Sequence, residues 1–305
     1  MNYQITKNFT NKKLKKIVNV FQLDYINGKS PGLGDFIRGS FCFMQLAQLL
    51  NLEFEIDISN HPISKYVKFN SKVEGLDYKN ITIYSNHNYN WDPLTTKMYD
   101  ENSVNITPEF LDKTINWLNS QDVETLGFFS NAHPFFYKHT EYGKKLINSK
   151  LQPNKLMNVY IDKELRELGL SKKTYGVIHI RTGDDYLLNK KVMSKEFINK
   201  IKNALNRFIV PERKYLILSD STYLKNILKT YPNFYISIKN IEHLGGESIN
   251  KNNSEGIINT LTDYYLMSYS NAIICLSVYG HISGFSKYCS VLNNIPYKSY
   301  NDLVE

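Results

Sequence analysis

The chain has 305 residues, enough for two domains of roughly 150 residues that each bury their own core. Its 42% hydrophobic and 22% charged residues exclude a disordered or fibrous protein. Its net charge of +8 admits nucleic acid, an acidic membrane surface or a phosphorylated small molecule as partner. The lysines are spread out, apart from Lys12, Lys13, Lys15, Lys16 and the pair Lys172-Lys173, so they read as solvated charge and argue against nucleic acid.

Cys42, Cys275 and Cys289 are widely spaced in mostly apolar surroundings, which predicts reduced, buried thiols and offers no metal-ligand spacing. The stretch Met1 to Thr10 is polar, without the apolar core of an export signal. No run approaches the roughly 18 apolar residues of a membrane span. The expectation is a soluble, cytoplasmic protein with no transmembrane segment.

Lys16 to Leu23 reads as a first strand, followed by a loop with Gly28, Pro31, Gly32 and Gly34. A helix from Phe36 to about Leu50 is apolar on most of its circumference, and Leu52 to Ile58 is a second strand. A glycine-rich turn between strand and helix lets backbone approach a ligand at the free N–H groups of the helix start. Gly32-Leu33-Gly34-Asp35 is not the dinucleotide fingerprint, which needs a third glycine. Asp35 is either the helix N-cap, a cleft-facing carboxylate, or both. Arg38 in the first turn opposes the helix dipole, which points to a partner, Asp35 or a ligand.

Between His61 and Glu124 only Pro108 to Asn119 reads as a helix. Thr125 to Ser130 is a strand that ends in Asn131-Ala132-His133-Pro134, where His133 is either a plain loop residue or a substrate contact. Gln152-Pro153-Asn154 breaks the pattern and sets a boundary between domains 1–153 and 154–305.

The second half alternates. After a helix from Lys155 to Leu168 come the strand Tyr175 to Ile180, a helix from Ser194 to Phe208 and the strand Lys214 to Leu218. A helix from Tyr223 to Thr230, the strand Phe234 to Ile238 and a polar loop with Gly245-Gly246 follow. A helix from Gly256 to Ser270, the strand Ala272 to Val278 and a helix from His281 to Leu292 complete the set. This alternation predicts a parallel sheet with right-handed crossovers.

Three strand ends of this half carry polar groups: His179 with Arg181-Thr182-Gly183-Asp184-Asp185, then Ser219-Asp220-Ser221, then Ser277-Val278-Tyr279-Gly280-His281. Open α/β sheets bind ligands at this edge. Arg181 beside carboxylates is either an anion site or a satisfied surface ion pair. Asp220-Ser221 also fits a helix cap, and His179, inside an apolar strand, fits a hydrogen-bonded core histidine. Asp263 adds a carboxylate on the helix before the last of these strands.

Gly32-Leu33-Gly34-Asp35 together with His179-Ile180-Arg181-Thr182-Gly183-Asp184 resembles the motifs of the superfamily of α1,2-, α1,6- and protein O-fucosyltransferases. The run from Thr262-Asp263-Tyr264 to Leu276-Ser277 resembles its third motif. The resemblance implies an α/β protein of two Rossmann-like domains facing a cleft, the GT-B fold. GDP-fucose would be held mainly by the C-terminal domain, with no metal and no cofactor beyond the donor substrate. Arg181 would bind the pyrophosphate and stabilise departing GDP. Gly32, Gly34, His179, Asp184, Asp220, Ser221, Asp263, Ser277, Tyr279, Gly280 and His281 would be donor-binding. Arg38, Asn131 and His133 would be acceptor contacts on the N-terminal domain. After Ser277 the family has a further serine and an aromatic, where this chain has Val278-Tyr279-Gly280-His281, and Asp35 stands where α1,2-enzymes tend to have asparagine.

The expected activity is an inverting, metal-independent transfer of fucose from GDP-fucose to a glycan or protein hydroxyl. Arg181 acts on the leaving group and Asp35, or else Asp184 or Asp185, takes the proton. The alternative is a catalytically silent nucleotide- or sugar-binding protein on the same scaffold.

Overall fold

The computed structural model describes residues 5–23, 31–84, 108–136, 138–187, 192–231, 234–245, 252–280, 282–301 and 303. The chain separates into two compact units, Met1–Gln152 and Pro153–Glu305.

The first unit is built on a four-stranded parallel sheet of β1 (Lys16–Val20), β2 (Glu53–Asp57), β3 (Thr82–Tyr84) and β4 (Thr125–Ser130), in the order β2-β1-β4-β3. Its helices are α1 (Leu33–Leu50), α2 (Pro108–Asn119) and α3 (Glu141–Lys150), and short 3-10 turns span Ile5–Asn8 and Pro62–Tyr66. Residues alternate across β1 because successive side chains of a strand point to opposite faces. Ile17 enters the core with Phe43, Leu46 and Leu50 of α1 and Phe110 and Ile115 of α2. Val18 and Val20 pack on the other side with Val73 and Leu76.

Helix α1 begins at Leu33, three residues before the expected start. Gly32 is its N-cap, and Pro31 precedes it. Asp35 is therefore not the cap. It lies in the first turn, where a carboxylate is favoured by the helix dipole, and Arg38 moves into the second turn. Gly34 is helical and buried. The helix ends at Asn51, left-handed at φ 56°, whose N–H bonds the Ala47 and Gln48 carbonyls.

The second unit holds a five-stranded parallel sheet of β5 (Gly176–Arg181), β6 (Tyr215–Ser219), β7 (Phe234–Ile236), β8 (Ala272–Ser277) and β9 (Tyr297–Tyr300), ordered β7-β6-β5-β8-β9. Its helices are α4 (Lys155–Glu167), α5 (Asp184–Leu187), α6 (Lys195–Phe208), α7 (Thr222–Leu228), α8 (Ser254–Ser268) and α9 (Gly284–Asn293). Asn154, Ser194, Ser221 and Asn253 each accept a backbone N–H from the first turn of α4, α6, α7 and α8, which fixes where those helices start. Ile178 and Ile180 of β5 pack with Phe197, Ile201 and Leu205 of α6 and Leu224 and Leu228 of α7. By alternation, Val177, His179 and Arg181 occupy the opposite face. Helix α8 packs on α4 and α9.

The strand order locates the functional edge of this unit. From β5 the chain adds β6 and β7 on one side, then returns to add β8 and β9 on the other. The carboxyl ends of β5 and β8 therefore flank a topological switch point, where open α/β sheets take their ligands. In the first unit the same reversal lies between β1 and β4. Among the described residues no helix is long and apolar enough to cross a membrane.

Candidate functional site

Parallel register puts the three polar strand ends of the second unit at one level. Ile180 is opposite Ser219, and Arg181 is opposite Ser277. Asp220, just past β6, is buried. Its Oδ2 accepts from Arg181 Nη1 at 2.6 Å and from the Gly183 N–H at 3.2 Å. Its Oδ1 accepts from the Thr182 N–H at 2.8 Å and the Thr182 hydroxyl at 2.7 Å. A carboxylate has about four acceptor positions, and protein donors fill them all. Asp220 thus holds Arg181 and the following turn rather than offering acceptors to a ligand. Thr182, absent from the expected site, is the second partner in this clamp.

Arg181 is held from the β8 side as well. Its Cζ lies 5.9 Å from the centroid of the Tyr279 ring, and its carbonyl accepts the Val278 N–H at 3.2 Å. The Ser277 hydroxyl accepts the Tyr279 N–H at 3.0 Å and closes the turn. Gly183 has φ +106°, a conformation suited to glycine. A Cβ there would lie 3.1 Å from Val278 Cγ2 and 3.5 Å from the Tyr279 hydroxyl. The turn after β8 carries a second unusual backbone at Ile282, β-branched with φ 66°. Around Gly280 there is open space. Ser221 spends its hydroxyl on the Leu224 N–H as the cap of α7. His281 and the side chain of Asp184 lie outside the described residues.

His179 is on the same face of β5 as Arg181, 5.8 Å from the Phe285 ring. Its Nδ1 is buried without a hydrogen-bond partner. Burial pushes it down to about 4, with Asp220 pulling upward and Arg181 adding to the depression, so the imidazole is neutral at physiological pH. Asp263 on α8 is also buried. Burial pushes its carboxyl up to about 6 against the opposing charge of Lys225. Glu164 of α4, Lys225 of α7 and Lys239 past β7 complete a charged cluster that the sequence reading missed. The available signal was Lys225 beside Leu224 and Leu228 on the apolar face of a short helix.

In the first unit, Arg38 donates from Nε to the Asn131 carbonyl at 2.7 Å, and its Nη1 lies 3.2 Å from Asp35 Oδ1. Gly39 permits this: a Cβ there would lie 2.0 Å from the Ser130 carbonyl oxygen, so α1 touches the end of β4 backbone to backbone. Asn131 Oδ1 is buried without a partner, Asp35 is 42% exposed at its side chain, and His133 is exposed. The structure thus joins Asp35, Arg38 and Asn131 into one group. Two polar residues with no assigned role lie nearby in the same unit. Asp57 at the end of β2 accepts from Ser59, Val73 and Tyr78, and His61 stacks 3.9 Å from Phe21, itself stacked on Phe36. Among the described residues no cluster of three or more His, Cys, Asp or Glu side chains has metal-site geometry.

No family model matches the sequence, and no curated protein does. Solved structures do match. The crystal structure of NodZ α-1,6-fucosyltransferase co-crystallized with GDP has 13% identity and a TM-score of 0.52, over 92% of this chain and 93% of that one. The fucosyltransferase NodZ from Bradyrhizobium has 14% identity and a TM-score of 0.53, over 92% and 94%. At such identity the likeness is one of fold. The chain has the α/β fold of these fucosyltransferases, two Rossmann-like units of GT-B type, as its motifs implied.

Proposed function

We propose that this protein is a glycosyltransferase whose donor is a nucleoside-diphosphate sugar, GDP-fucose, and whose acceptor is a glycan or protein hydroxyl. The observation that carries the reading is Arg181, fixed at the switch point by a buried carboxylate whose acceptor positions are all filled from the protein. A guanidinium held in this way is preorganised for a diphosphate, and stabilising charge on the leaving group is the largest service such a site can render. The fold shared with NodZ supports the choice of donor.

In the proposed reaction an acceptor oxygen attacks the anomeric carbon from the face opposite the diphosphate. The bond from that carbon to the β-phosphate oxygen breaks with its electron pair leaving on GDP, and the configuration inverts. Arg181 stabilises the charge that develops on GDP, so no step calls on a metal. Asp35 is the proposed proton acceptor, and the Arg38 pairing orients its carboxylate. His179 stays neutral and supports the Arg181 face rather than moving a proton.

The test is transfer from GDP-fucose to a panel of glycan acceptors, with Arg181→Ala and Asp35→Asn as variants. The expected result is loss of transfer in both, with GDP affinity weakened only in Arg181→Ala. Full activity of Arg181→Ala would overturn the reading.

A further inference from the structure

Segment 58–73, which follows β2 in the first unit, carries Lys65, Lys68 and Lys72 and no carboxylate. Between Glu55 and Glu74 the one acid is Asp57, which is buried and engaged by Ser59, Val73 and Tyr78. The segment is pinned from within. Ile63, Tyr66 and Val67 are buried, and His61 Nδ1 accepts the Ile63 N–H at the start of the 3-10 turn. Asn70 Nδ2 donates to the Ser64 carbonyl at 3.0 Å, which closes residues 64–70 into a loop. The Lys68 N–H donates to the Gln152 carbonyl at 2.9 Å, which ties the loop to the end of α3.

Lys65, Lys68, Phe69 and Lys72 are left on the outside, all exposed. Phe69 is 52% exposed, and the ammonium of Lys150, the last residue of α3, lies 5.8 Å from the centroid of its ring. Lys150 also pairs with Glu55 at 2.7 Å. A single exposed aromatic is ordinary on a protein surface. Phe69 differs in being held outward by a closed loop, among lysines and beside no exposed acid of its own segment.

The chemistry of the patch selects its partner. Every cation in it is a lysine, a mobile point charge suited to a diffuse field of phosphates, whereas forked recognition of one phosphate or base edge uses arginine. At a bilayer interface ammonium groups stay among the headgroups, and an aromatic ring enters the boundary with the acyl chains. A dissolved polysaccharide or a nucleic-acid duplex would engage the lysines and leave the ring in water.

We propose that the 64–72 loop, with Lys150, docks the first unit on an anionic lipid surface: Phe69 enters the interface, and Lys65, Lys68 and Lys72 lie over the lipid phosphates. One ring and a few lysines make a reversible anchor that salt weakens. No residue of the second unit takes part, so the proposal is independent of the nucleotide reading.

The experiment is vesicle flotation at low salt, comparing pure phosphatidylcholine with an equal mixture of phosphatidylcholine and phosphatidylglycerol. The native protein is expected on the mixed vesicles alone, and to leave them at high salt. Lys65→Gln/Lys68→Gln is expected to bind about twenty- to thirty-fold more weakly, and Phe69→Ala about ten-fold. Lys12→Gln/Lys13→Gln removes the same charge elsewhere and is expected to bind as the native protein does. Phe69→Trp is expected to keep the affinity, its added fluorescence shifting to the blue on mixed vesicles, a readout that stands even where a lysine variant fails to fold.

No binding to mixed vesicles, equal binding to pure phosphatidylcholine, native affinity in Phe69→Ala, or an equal loss in Lys12→Gln/Lys13→Gln would overturn the proposal. Tighter binding of single-stranded DNA or dextran sulfate than of mixed vesicles, through the same residues, would also overturn it and make this a surface for a dissolved polyanion.

Discussion

Arg181 Nη1 lies 2.6 Å from Asp220 Oδ2, and that bond ties the end of β5 to the end of β6 at the edge where the sheet reverses direction. Asp220 also gathers both Thr182 donors and the Gly183 N–H, so one buried carboxylate sets the arginine and the turn behind it together. Removing it leaves a partly buried guanidinium and the polar groups of Ser219, Thr182 and Gly183 without this acceptor. Asp220→Ala is expected to lose about 3–5 kcal/mol of stability in urea unfolding. Asp220→Asn keeps the shape but loses the charge, and should fall between native and alanine.

Gly183 is expected to tolerate no side chain. At φ +106°, with Val278 Cγ2 3.1 Å from a would-be Cβ, Gly183→Ala combines backbone strain with a clash at the turn that seats Tyr279. The expected loss is about 1–3 kcal/mol, read from the urea midpoint. Gly169, also left-handed at φ +61° but with nothing within 4 Å of its Cβ, is the control that isolates the strain.

Gly39 makes the corresponding prediction for the first unit. A Cβ 2.0 Å from the Ser130 carbonyl oxygen meets backbone, which cannot swing aside, so α1 and β4 would have to separate. Gly39→Ala should lose about 3 kcal/mol or more, at the upper end of overpacking penalties. It should also lengthen the Arg38–Asn131 bond, which a crystal structure of the variant would display.

His179 gives a pH dependence of known sign. Its folded value of about 4 lies below the unfolded 6.5, so its contribution is complete above pH 6.5 and is lost as pH falls toward 4. Asp263 runs the opposite way. Its folded value of about 6 lies above the unfolded 3.8, so stability is gained as pH falls through 6. The two nearly cancel in the native protein. His179→Gln should therefore retain about 2–3 kcal/mol more of its pH 7 stability at pH 4.5 than the native chain does, measured by urea unfolding at both pH values.

Much of this architecture was legible in the sequence, where local pattern and tertiary demand agree. β4 and α2 have their expected bounds, and β5, α6 and α8 lie within a residue or two of theirs. Each is strongly apolar or carries a clear cap such as Ser194. The elements that escaped are weakly patterned. β3 is three residues long, and β9, Tyr-Lys-Ser-Tyr, is a half-exposed edge. α3 buries only Gly143 and Ile147, so it shows no apolar stripe and is marked only by its Thr140 cap.

The same distinction holds for the site. Polar strand ends flagged Arg181, Asp220 and Ser277, whose shared level follows from parallel register alone. Whether Asp220 faces a ligand or the protein depends on where its hydrogen-bond donors lie, and spacing carries no record of that. Lys225 and Glu164 were hidden because a charge at a core-facing helical position has meaning only once its partners are in place.

The central claim is that Arg181 binds a diphosphate, and calorimetry with GDP and GMP on the native protein and Arg181→Ala tests it most directly. A charge-assisted bond in a partly buried setting contributes about 1.5–3 kcal/mol, so Arg181→Ala should bind GDP about ten- to a hundred-fold more weakly. Its affinity for GMP, which lacks the diphosphate, should change far less. A native protein with no preference for GDP over GMP, or an Arg181→Ala protein that binds GDP as tightly as the native one, would contradict the account.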